Sequence, residues 1–110
     1  MSYRVVQYGL REFVLSPEDV AASLNVACQR DHRHYRVSGL CQTRDEVIFL
    51  LEDDPEQRRW EYVLAAFPGE SAEEVAGEIQ SRWQGQFSTR GLVRLTDQFL
   101  GLFERVPAAR

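Results

Sequence analysis

The residues richest in chemistry lie in one short run, "ACQRDHRHYR" (Ala27–Arg36), followed by a second cysteine at Cys41. Cys28 and His32 are four residues apart, which places both on one helix face if the helix extends that far. Thiolate and neutral imidazole are zinc ligands, and His34 and Cys41 would complete a set of four. The same run is basic, with Arg30, Arg33 and Arg36 interleaved with His32, His34 and Tyr35. Planar guanidinium groups match carboxylates and phosphates. The competing chemistry is therefore capture of a small anion, or of an acidic partner, by His32, Arg33, His34 and Arg36.

An internal similarity weighs against the metal. "SPEDVA" (Ser16–Ala21) matches "SAEEVA" (Ser71–Ala76) at four of six positions, an offset of 55. "GLCQTRDEVIFLLE" (Gly39–Glu52) matches "GLVRLTDQFLGLFE" (Gly91–Glu104) at five of fourteen, an offset of 52. Two matches in the same order point to a duplicated chain, with three more residues between helix and strand in the first half. Under the offset of 55, Cys28 corresponds to Trp83, a residue type of the core, and free cysteine is more often a small buried hydrophobe than a ligand. On a regular pleat His34 and Cys41 would point to opposite faces. Cys28 is therefore expected in the core, and neither metal nor cofactor is expected. The His/Arg run falls at the length difference, which predicts a loop. Irregular loops on rigid scaffolds often carry function, so a ligand is expected there before anywhere else.

Each half must then supply the elements that position this run, and each reads as strand, helix, strand, strand. The opening strands are "YRVVQY" (Tyr3–Tyr8) and "WEYVLAAF" (Trp60–Phe67), rich in aromatic and β-branched residues. Ser16 with Pro17 and Asp19, and Ser71 with Glu74, are helix N-terminal signals. Apolar stripes at Val20, Leu24, Ala27 and Cys28, and at Val75, Ile79 and Trp83, mark one buried face per helix. Hairpins are expected near "TRDE" (Thr43–Glu46) and "LTDQ" (Leu95–Gln98), with Asp45 and Asp97 bonding the turn backbone. The expected fold is α+β: two βαββ repeats forming antiparallel sheet, in one piece or a pair, with two helices on one face, a local two-fold axis and a ferredoxin-like relative. The boundaries are repeat one at 3–52, a polar connector at 53–57, repeat two at 58–105 and a tail at 106–110, all in one domain. Both last strands, "VIFLL" and "FLGLF", are apolar on both faces, which predicts that both faces are covered. The second half of the chain, a second copy or an apolar ligand would cover the face the helices leave.

The totals weigh against several functions. A net charge of −4 does not suit nucleic acid. All 13 basic residues are arginine, which fits codon usage in a GC-rich bacterial genome. No apolar run reaches a membrane span. With no signal-like start and two cysteines, a reducing cytoplasm with free thiols is expected. The acidic run Glu52–Asp54 with Glu56 lacks the alternation of a calcium loop and reads as a solvated connector. Trp60, Tyr62 and Trp83 read as packing rather than a base-stacking platform. No phosphate loop, nucleophile elbow or HExxH is present.

"LN" (Leu24–Asn25) near a helix end, a strand containing "SGL", and hairpins ending "VIFLLE" and "LFER" resemble short bacterial βαββ domains known only as a domain of unknown function. Those carry Leu-Asn on the helix, Gly-Trp after it, and a last aromatic strand ending in Lys or Arg. The Gly-Trp is absent from the first half and displaced in the second ("RWQGQF", Arg82–Phe87). The resemblance implies a fold and lends no catalytic residue. The function expected is a non-enzymatic module binding a small anionic ligand or a protein, with a homodimer as partner state. The alternatives are a small ferredoxin-like oxygenase or isomerase using His32 or His34 as base, and a structural subunit of a larger assembly.

Overall fold

Runs of aromatic and β-branched residues become strands, and the capped, striped runs become helices, in an α+β fold. The computed structural model describes residues 3–68, 71–83, 85–95 and 98–107, excluding the Trp83 side chain. The elements are β1 (Tyr3–Gly9), α1 (Leu10–Leu15), α2 (Pro17–Ala27), β2 (Gln29–Arg30), β3 (Arg33–Gln42), β4 (Glu46–Asp53), β5 (Glu61–Pro68), α3 (Ala72–Trp83), β6 (Ser88–Arg94) and β7 (Gln98–Arg105). They form two antiparallel sheets rather than one, in the orders β1-β4-β3-β2 and β5-β7-β6. The opening strand of each half pairs with the last, and the last with the middle. Both middle strands carry an irregularity at matching places, between Val37 and Gly39 in β3 and between Thr89 and Gly91 in β6. No helix among the described residues is long and apolar enough to cross a membrane.

Several local expectations need correction. A third helix, α1, follows β1 directly and buries Phe13. The run "GLREFVL" that forms it is too short for a helical period to show. Ser16 makes no side-chain cap; it is the break between α1 and α2, with its N–H donating to Glu12 O at 2.8 Å. Ser71 does cap, its Oγ accepting from Glu74 N–H at 3.2 Å. In the first hairpin the bond is made by Thr43, whose Oγ1 accepts from Glu46 N–H at 3.1 Å, and not by Asp45. Asp97 lies outside the described residues.

The expected loop after α2 is a tight hairpin. β2 pairs with the start of β3, and Asp31 and His32 turn it with φ of 54° and 61°. Positive φ at both central residues is the two-residue turn that suits the strand twist, and Asp and His tolerate it. The irregularity at Ser38 also overturns the expected alternation along β3. One extra residue restores the phase, so Arg36, Gly39 and Cys41 all lie opposite outward-facing β4 residues: Glu52, Leu50 and Ile48. His34 and Cys41 thus share a face, but seven residues of strand, about 23 Å, separate them.

One core joins the halves. It contains Phe13, Val20, Leu24 and Cys28 from the helical segment, Val37, Phe49 and Leu51 from the first sheet, and Tyr62, Leu64, Leu100 and Leu102 from the second. Each fully buried aliphatic or aromatic side chain contributes about 1.5–3 kcal/mol of burial free energy. A second cluster, with Phe67, Val75, Phe99 and Phe103, lies between α3 and the other face of the second sheet, so α2 and α3 do not share one face as expected. β7 is therefore covered on both faces, as its apolar run requires. β4 is not: Val47, Phe49 and Leu51 are in the core, while Leu50 is 37% exposed and Val5 beside it in β1 is 61% exposed. Cover for both faces comes from within the chain for β7 alone, and the outer face of β4 is left to another subunit or a ligand.

The sheets meet along β3 and β6. These run in the same direction, with Gln42 Nε2 donating to Arg94 O at 2.9 Å and Arg90 Nε to Val37 O at 2.9 Å. Gly91 permits this approach, because a Cβ there would lie 2.5 Å from Leu40 Cδ2.

Candidate anion-binding site

At one end of the seam the strands bring charges together around Glu104. β7 directs Leu100, Leu102 and Glu104 to the same side, so the carboxylate continues a buried apolar row and is 3% exposed. A charge at that depth must be paired and hydrogen-bonded. Arg36 Nη2 donates to Glu104 Oε2 at 2.7 Å. Tyr62, opposite Glu104 on β5, donates its hydroxyl hydrogen to Oε1 at 3.1 Å. Arg90 Nε stands 3.9 Å from the same oxygen. Tyr62 Oη also accepts from Val37 N–H at 2.7 Å, filling the donor that the irregular stretch of β3 leaves over. Burial first, and the Glu104 charge as well, push the Tyr62 phenol well above its ordinary value, so it acts as a neutral donor.

The connector builds the adjoining wall. Asp54 is buried, contrary to its expected place in a solvated run. It accepts from Glu56 N–H and Arg58 N–H at 3.1 Å each, from Arg58 Nε at 3.0 Å and from Trp60 Nε1 at 2.8 Å. Burial alone would raise this carboxyl, but those hydrogen bonds outweigh it and hold the group far below the usual carboxylate range. The Trp60 ring is fixed in this way, and Arg36 and Arg58 lie over it with guanidinium carbons 4.2 and 5.0 Å from its centroid.

These walls enclose a cleft of about 560 Å³ lined by Arg36, Arg90, Arg105, Trp60, Phe87 and Glu104, among others. Arg105 is bonded to Glu61 at 2.9 Å and stacked on Phe87 at 4.6 Å. Arg90 differs from the other two. Its Nε is engaged, yet among the described residues its terminal amino groups have no hydrogen-bond acceptor. It also lines a neighbouring groove of about 440 Å³ along the β3–β6 seam. Three guanidiniums, two of them paired with Glu104 and Glu61, and two aromatic rings make a cleft suited to an anion that has an apolar body.

Of the residues expected to bind a ligand, only Arg36 reaches this cleft. His32 is exposed at the hairpin turn. Arg33 forms an ion pair with Asp53, its Nε 3.1 Å from Oδ2. His34 anchors the connector through its main chain, donating to Gln57 Oε1 at 2.8 Å and accepting from Asp54 N–H at 3.0 Å. Its Nδ1 is buried without a hydrogen-bond partner among the described residues. Cys28 is 1% exposed, and burial pushes its thiol up to about 12. Cys41 is exposed, and among the described residues no three His, Cys, Asp or Glu side chains converge as metal ligands.

Glu104, Arg90 and Arg105 are the site residues that sequence reasoning missed. One signal was available: Glu104 falls in phase with Leu100 and Leu102, and a carboxylate in a buried row needs cations. Comparison with family models, with curated proteins and with solved structures found no match to this chain.

Proposed function

We propose that the chain is a non-enzymatic binding module that takes a small carboxylate- or phosphate-bearing ligand into the arginine cleft. The observation that carries this is Arg90: a guanidinium held at its Nε, lining a cleft with two aromatic walls, whose terminal donors have no acceptor among the described residues. Arg36 and Arg105 are neutralised by Glu104 and Glu61, so they set local potential and shape. The enzyme alternative, with His32 or His34 as base, needs a cavity lined by a histidine, and neither cleft described above has one. The shared strand order and the matched irregularities at Ser38 and Arg90 support descent of both halves from one βαββ unit, related to ferredoxin-like folds. Both free thiols fit a reducing, cytoplasmic setting. The uncovered face of the first sheet supports a second copy of the chain as partner.

Calorimetric titration of the full chain with inorganic phosphate and with benzoate tests the ligand reading. Saturable binding of at least one is expected, weakened about tenfold or more in Arg90→Ala by loss of a charge-assisted bond. Phosphate alone binding would identify a phosphoryl group, and benzoate alone a carboxylate on an aromatic body. Absence of heat with both, or equal affinity in the variant, would refute the proposal.

A further inference from the structure

The two sheets end in strand edges, and those of β2, β5 and β6 are short or bridged by side chains over part of their length. Around Tyr62 the free edge of β5 is bracketed by the Asn25 side chain, which accepts from Tyr62 N–H at 2.7 Å and donates to Tyr62 O at 3.0 Å. The edge of β6 faces β3, and Gln42 and Arg90 bridge them. β2, the far end of the first sheet, is only two residues long. Short strands and covered edges are the ordinary ways to prevent edge-to-edge association.

β1 is neither short nor bridged along its main chain, and an inward-turned charge is the single such device it carries. It is seven residues long, pairs with β4 in unbroken register, and contains neither proline nor lysine. Its one charge, Arg4, is turned inward, with Nη1 donating to Ala27 O at 2.6 Å. Among the described residues no main-chain group from Arg4 to Tyr8 bonds to anything outside the sheet. The side chain at its centre that faces outward, Val5, is apolar and 61% exposed, with Leu50 next to it on β4.

We infer that β1 is the dimer interface: it pairs antiparallel with β1 of a second copy about a two-fold axis at Val5, joining the first sheets into one continuous sheet. This names the surface for the homodimer proposed above and rests on that reading. An antiparallel edge satisfies its own donors and acceptors when rotated by two-fold symmetry, so an identical strand is a complementary partner. A two-fold at Val5 brings the exposed apolar side chains of both copies together. It sets Val5 against its own copy and Arg4 against Val6, so no like charges face each other. A two-fold at Arg4 would oppose two guanidiniums.

Val5→Lys and Val5→Glu change only a solvent-facing side chain, and each places two like charges directly opposite each other at the interface. Sedimentation equilibrium of the wild type should give twice the 12.7 kDa chain mass, and each variant alone the single mass, with an unchanged far-UV spectrum. An equimolar mixture of V5K and V5E should return to the doubled mass. Leu50→Lys, on the same face but not at the edge, should remain dimeric. A monomeric wild type would refute both the dimer and the surface. A dimer that survives V5K, or is broken by L50K but not by V5K, would refute the surface and leave the dimer standing.

Discussion

With its thiol pushed up to about 12 by burial, Cys28 keeps its proton in the folded chain at a pH where an unfolded thiol, ordinarily near 9.0, has lost it. The stabilisation is complete below the unfolded value and is lost as pH rises from there toward the folded one. Denaturation midpoints of the wild type should therefore fall between about pH 9 and pH 11, and Cys28→Ala should fall less steeply. Part of the decline should persist in the variant, because the buried Tyr62 phenol is raised in the same sense. Equal slopes would mean that Cys28 is not the protonated core residue described. That the residue is buried was legible in the sequence, because Trp83 stands at the matching position. The role of Asp54 was not legible. Its five donors come from a turn that folds residues 54–60 back on one carboxylate, and nothing in a run of acids and arginines distinguishes that turn from a solvated linker.

Among elements, α2 does two jobs that its stripe reveals only in part. Val20, Leu24 and Cys28 mark the buried face in the sequence, and all three are in the core. Asn25, beside that face, carries the second job by imitating a strand with its amide, one acceptor and one donor for Tyr62. Asn25→Ala should cost about 1–3 kcal/mol, because it leaves both main-chain groups of a strand edge without partners. Hydrogen exchange at the Tyr62 amide should rise more than at core amides of β7. Asn25→Asp retains the acceptor but sets a carboxylate against a carbonyl, so it should not rescue. A neutral Asn25→Ala would show that water serves the β5 edge as well. The strands themselves were legible from their aromatic and β-branched runs. The irregularity at Ser38 was not, and it moved Cys41 to the face opposite to the one a regular pleat predicts. An extra residue in a strand leaves no compositional trace beyond a nearby glycine such as Gly39, and a glycine marks turns and close backbone approaches equally well.

At the scale of the molecule, two halves of like topology share a core, which predicts one cooperative unit rather than two stacked repeats. In a repeat array each unit buries its own face against a neighbour and folds as a modular increment. Here the halves share the larger core, in which Leu100 and Leu102 of one lie with Leu24, Phe49 and Leu51 of the other. Glu104 is buried in the second half, while its closest cation, Arg36 at 2.7 Å, belongs to the first. Cutting the chain between Gln57 and Arg58 would expose one side of that core and strand a carboxylate in an apolar row, which costs several kcal/mol when its partner is removed. Fragments 1–57 and 58–110 are therefore each expected to show little far-UV ellipticity alone. An equimolar mixture should recover the full-length spectrum and a single melting transition. A fragment that melts cooperatively by itself would mean that its own sheet and helix suffice. The shared core would then be a docking interface between two domains, and the arginine cleft, built from β3 of one half and Trp60, β6 and β7 of the other, would open and close with it.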